Sequence, residues 1–121
     1  MPTKLDDLRQ LGVAQPDARL ADLELLLAAD AHSVNGIRTA LQKGANIDAR
    51  HPDMGISALH IAIGNNDLAL CRFLIEECSA RFFPDKFGRW PTLIAAECHA
   101  DETLSDYIVE QEALFLRQNP S

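Results

Sequence analysis

The sequence predicts an all-α solenoid of about three helix-turn-helix units. Two observations carry it: residue types that recur every 33 or 34 positions, and apolar residues at helical spacing within each copy. Gly55 recurs as Gly88 and Ala62 as Ala95, and Trp90 and Pro91 stand at the same step from Ser57 and Ala58. Ala28 to Ala62 is 34 residues, so one extra residue falls between the first two copies. The loop His51-Pro52-Asp53-Met54 is where an insertion disturbs no helix.

The elements follow in order. Leu5, Leu8 and Leu11 predict a short N-terminal capping helix with Asp6, Asp7 and Arg9 on its wet side, stopped at Gly12. Gln15-Pro16-Asp17 reads as a turn, and the thickening of Leu and Ala after it predicts a helix from about 18 to 31. Ser33 suits the N-cap of the next helix, whose apolar positions are Val34, Ile37, Ala40 and Leu41. Gly36 inside it weakens it by about 1 kcal/mol relative to Ala. Lys43 and Gly44 are suited to its end.

In the middle copy Ser57 caps the first helix and Asp67 the second. There Leu70, Phe73 and Leu74 mark one face and Cys71, Ile75 and Cys78 another, as expected of a helix between two neighbours. In the last copy Pro91 fits the first helical turn. Asp101 caps a final helix running to about 117, with Leu104, Ile108 and Val109 facing inward and Leu114 and Phe115 further on. Its acids suit an outer, polar C-terminal cap.

The run Gly55-Ile56-Ser57-Ala58-Leu59-His60-Ile61-Ala62, continuing through Asn66-Asp67-Leu68 into Leu70-Cys71-Arg72-Phe73-Leu74-Ile75-Glu76, resembles an ankyrin repeat, with a Thr-Pro-Leu-His-like tetrad opening its first helix. Leu25 to His32 and Ile37 to Arg50 resemble an earlier unit. The third copy departs from the pattern, with Trp90 where Thr is usual, Thr92 where Leu is usual and Leu93 where His is usual. The resemblance covers roughly residues 20 to 117 and divides the chain into a cap helix and turn (1–17), repeat 1 (18–54), repeat 2 (55–87), and repeat 3 with the C-terminal cap (88–121). It implies that His60 joins a hydrogen-bond network between neighbouring loops.

A chain of 121 residues is one domain by length, and 47% hydrophobic content is that of a globular chain. It has no apolar run of about 18 residues, the length of a membrane span. Charges stand where a signal peptide would be apolar. Three cysteines, an odd number without a Cys-x-x-Cys, point to a reducing cytosol. The net charge of −7 comes from the two ends. From residue 90 onward Glu97, Asp101, Glu102, Asp106, Glu110 and Glu112 face only Arg117, which disfavours nucleic acid and favours a basic protein partner.

No residue pattern supplies catalysis, a metal or a cofactor. His32, His51 and His99 scatter through turns, and Cys98 and His99, being adjacent, point apart, so about four convergent zinc ligands are not to be had. The cysteines read as small buried hydrophobes without an activating base. Glu76-Glu77 and Asp101-Glu102 read as solvated charge, and no glycine loop has the phosphate-binding form.

The second hairpin stands out, with Phe82, Phe83, Phe87 and Trp90 crowded around Pro84 and Gly88. Phe82 or Phe83 packs under the loop, Trp90 lies against the next helix, and Phe87 and Met54 take tip positions that resemble the partner-reading positions of ankyrin proteins. The expected binding strip is Asp53, Met54, Lys86, Phe87, Arg89 and Trp90, with Asn65, Asp67, Glu97 and His99 nearer the helices. The resemblance implies a non-catalytic, monomeric protein-binding module. Small stand-alone bacterial members include immunity or inhibitor proteins, and an adaptor or regulatory subunit is the alternative within binding proteins. An enzyme or metal protein is the alternative from another class, and it has no residues to carry it.

Overall fold

Six helices follow one another, with no strand among residues 16–120, which are those that the computed structural model describes. The capping helix expected at Leu5 to Leu11 and its stop at Gly12 lie outside them, as does Gln15. Helix α1 spans Pro16–Asp30, so Pro16 and Asp17 belong to a helix rather than a turn. Proline's fixed φ suits a first helical turn, and its missing N–H has no helical acceptor to lose there. Helix α2 spans Val34–Gln42, and the Ser33 hydroxyl accepts the Gly36 amide at 2.9 Å.

Gly36 does more than weaken α2. A Cβ built there would stand 2.8 Å from Cβ of Ala28, so the glycine sets how closely α1 and α2 approach.

Helix α3 spans Ala58–Gly64 and α4 spans Leu68–Arg72, with Asp67 capping the latter through the Leu70 amide at 3.0 Å. Beyond α4 the helix widens into a π turn over Phe73–Glu77, in which the Cys78 N–H reaches back to the Phe73 carbonyl. Helix α5 spans Pro91–Glu97 and α6 spans Glu102–Gln118. Leu104 and Ile108 of α6 are buried, but Val109 is exposed: one position beyond Ile108 is a rotation of about 100°, off the inward stripe.

Helices α1, α3 and α5 form one row, each against the next, and α2, α4 and α6 pack on their respective partners. Three equivalent bonds fix the repeat register. The amides of Ser33, Asp67 and Ala100 donate to the carbonyls of Ala28, Ala62 and Ala95. The left-handed residues His32, Asn66 and His99 turn the chain at the same point in each copy. The core runs through all units: Leu25 and Ile37 in the first, Leu59, Ile63, Leu70 and Leu74 in the second, Ile94, Leu104 and Ile108 in the third.

The extra residue falls in the first hairpin. There the His51 N–H donates to the Ile56 carbonyl, whereas in the second hairpin the Asp85 N–H donates to the Arg89 carbonyl, one residue nearer. The His51 ring takes up the slack, its Nδ1 accepting the amides of Asp53 and Met54.

Candidate protein-binding surface

The second hairpin is built on a carboxylate. Asp85, its side chain wholly buried, accepts the amides of Phe87 and Arg89 at 2.9 Å through Oδ1. Its Oδ2 accepts the Arg89 guanidinium at 2.8 Å and 2.7 Å. Burial alone would raise this carboxyl's pKa, but the Arg89 and Phe87 bonds outweigh it and hold the pKa below its ordinary value. Arg89 continues to Glu97 at 3.2 Å and lies 5.5 Å from the Phe87 ring centre. Phe87 is thereby carried on a fixed loop while remaining 65% exposed. The Lys86 N–H donates to the Met54 carbonyl at 3.1 Å, which brings the two tips together, with Met54 40% exposed.

Below the tips His60 joins two loops. Its Nε2–H donates to the Phe83 carbonyl at 3.0 Å, and its Nδ1 accepts the Ser57 amide at 3.0 Å. Those partners define the neutral tautomer with the proton on Nε2. Burial is the main force lowering its pKa from 6.5, aided by Arg50 and Arg89 and opposed by the Phe83 bond and Asp85. The unfolded chain therefore takes up a proton that the fold resists. The stability that neutral His60 contributes is complete above about pH 6.5 and is lost as pH falls from there toward the lowered folded pKa. Melting temperature is expected to fall between pH 7.5 and 5.5, and the slope should be shallower in His60→Ala. Equal slopes in calorimetry would remove His60 as the cause.

The strip that the sequence predicts divides into two patches. Asp53, Met54, Lys86 and Phe87 gather at the hairpin tips, and Arg89 and Glu97 are paired to each other beside them. Asn65, Asp67 and His99 lie at the turns, beyond the far ends of α3 and α5. Two of these are engaged within the chain: Asn65 donates to Asp30 at 3.1 Å, and Asp67 bonds His32 at 2.7 Å. Trp90, half-buried as the N-cap of α5, sits instead in a groove at the hairpin base with Phe83 and Phe115.

Other residues differ from their sequence reading. Asp101 is the N-cap of α6, but its side chain does not cap the helix; it accepts from Asn66 Nδ2 at 3.0 Å while its own amide donates to Asn66 Oδ1. Glu76 accepts the Tyr107 hydroxyl at 2.6 Å and so holds the π turn beyond α4 to α6. Glu112, which the sequence places on a polar cap, accepts the Thr92 amide at 3.1 Å and covers an open donor at the start of α5. Of the cysteines, Cys71 is buried and its thiol pKa is pushed up to about 12, chiefly by that burial, whereas Cys98 is exposed at the end of α5. All three are free.

Among the described residues, no three or more His, Cys, Asp or Glu are grouped so as to hold a metal ion, and no helix is long and apolar enough to cross a membrane. Residues 25–75 match the family model of ankyrin repeats (many copies). No curated protein matches the chain.

Proposed function

The chain is an ankyrin-repeat protein and a protein–protein interaction module, and from that premise we propose that it acts as an inhibitor that binds a basic effector or toxin and performs no chemistry of its own. The observation that carries this reading is Phe87, a large apolar side chain left 65% exposed on a loop braced by buried Asp85. An anchor already fixed in place loses little freedom on binding, which favours affinity. Met54 and Lys86 share the tip patch, and Asp53 adds an acid beside it. The exposed acids Glu102, Asp106 and Glu110 of α6 would draw a basic partner and make association salt-sensitive. The protein works as a monomer without cofactor or metal, takes no nucleic acid or membrane as partner, and resides in the cytoplasm, where its three free cysteines stay reduced.

The test begins with the partner that co-purifies from the native host. Phe87→Ala should weaken its binding about 30-fold, the loss of roughly 2 kcal/mol at a hot spot, and leave the melting temperature unchanged. An inhibitor abolishes its partner's activity at equal stoichiometry, and a partner that stays fully active in the complex rejects the inhibitor role. Undiminished affinity after Phe87→Ala and Met54→Ala together rejects the tip site.

A further inference from the structure

A groove of about 660 Å³ lies at the base of the hairpins, away from their tips, since neither Met54 nor Phe87 lines it. Its apolar wall is Phe83, Trp90, Phe115 and Leu116. Two guanidinium groups lie over these rings: Arg50 is 3.8 Å from the Phe83 ring centre, and Arg81 is 5.6 Å from that of Phe115. Elsewhere Arg38, Arg72 and Arg89 each face a carboxylate, but neither Arg50 nor Arg81 is ion-paired among the described residues. Asp48 also lines the groove, with one oxygen accepting the Arg81 main-chain amide.

We propose that this groove is a second recognition site, which binds an acidic peptide segment bearing aromatic or aliphatic side chains. Stacking on a ring engages the flat face of a guanidinium and leaves its in-plane N–H donors free for a carboxylate. Arg50, close over its ring, and Arg81, farther from its own, thus offer a carboxylate two guanidinium groups that have no acid partner among the described residues, on a chain whose overall charge of −7 would otherwise repel acids. The apolar wall between them takes the side chains that alternate with the acids. The groove is open, which suits a passing chain better than a small ligand, since small ligands are commonly buried by about 70–90%. The site is separate from the hairpin tips and does not rest on the inhibitor reading.

Trp90, the only tryptophan, lines the groove and reports on it directly. The probe is a short synthetic peptide in which Asp and Glu alternate with Phe and Leu, blocked at both ends. It should change Trp90 fluorescence saturably, while the counterpart with Lys for the acids should not. Arg50→Gln and Arg81→Gln, both at exposed positions, should keep the wild-type melting temperature and each weaken the peptide about tenfold, the effect of losing one charge-assisted contact. Phe87→Ala should leave peptide binding intact, so that failure at the tips and failure here are told apart. Equal binding of the Lys peptide, or unchanged affinity in the double variant Arg50→Gln/Arg81→Gln, overturns the proposal. So does concentration-dependent self-association that the same double variant abolishes, for the groove would then hold a second copy of the chain.

Discussion

Replacing Asp85 by Ala should lower the melting temperature by about 10 °C, the largest effect expected of any polar substitution here. The carboxylate satisfies the amides of Phe87 and Arg89 and anchors the Arg89 side chain. Its removal leaves the two loop amides without an acceptor, at a cost of about 3 kcal/mol. Asp85→Asn separates the parts: an amide oxygen can still accept from the loop amides, but the charge that holds Arg89 is gone, so the loss should be about half as large. The pH dependence runs in the same direction. Because the folded pKa lies below the ordinary one, this contribution is complete above about pH 4 and fades as pH falls through the folded value. Thermal denaturation of the two variants beside the wild type checks this, and an Asp85→Ala variant that melts with the wild type would remove the carboxylate as the loop's foundation.

Gly55→Ala is expected to cost about as much for a different reason. Gly55 has φ +70°, and a Cβ there would stand 2.7 Å from the main-chain nitrogen of Lys86. Main chain cannot rotate aside as a side chain can, so the two hairpins must separate and the Lys86–Met54 bond must stretch. Gly88 provides the control. It has φ +77° but nothing within 4 Å of its Cβ position, so Gly88→Ala carries the conformational cost alone, about 1 kcal/mol. Gly55→Ala should be destabilised by about 2 kcal/mol more than Gly88→Ala. It should also weaken partner binding, because Met54 and Lys86 move apart. Equal losses in urea denaturation of the two variants would show that the hairpins yield without strain.

Much of the fold is legible in the sequence because a repeat writes the same local constraints several times over. The Ala28, Ala62 and Ala95 register and the caps at Ser33 and Asp67 are local, and each can be read within a few residues. What fails to show is what depends on residues far apart in the chain. Glu112 meets Thr92 across 20 positions, and Asp101 meets Asn66 across 35, so both carboxylates look like solvated charge or a simple cap when only their neighbours are visible. Cys98 looks like core by residue type, yet its place at the end of α5 leaves it exposed. Asp85 is different, since its signal is local: an Asp two residues before Phe87 and four before Arg89 has the spacing of a side chain that bonds its own loop amides. Phe87 and Met54 at the tips were legible from the hairpin pattern, whereas the groove around Trp90 was not, because α6 returns to form its far wall.

The two margins of the helix array are fastened by different means, and this sets how the molecule responds to strain. Along the hairpin margin the rungs involve main chain: the Lys86 amide to the Met54 carbonyl, and the Arg81 amide to Asp48. Along the turn margin Asn65 with Asp30 and His32 with Asp67 meet through side chains alone, and only Asn66 with Asp101 adds a main-chain amide. Side-chain rungs can rotate, exchange for water and feel nearby charge. The stack is therefore expected to behave like a bound book, stiffer at its hairpin spine than at its turn edge. A partner gripping the tips holds the spine, while salt acts first on the spacing of the pages.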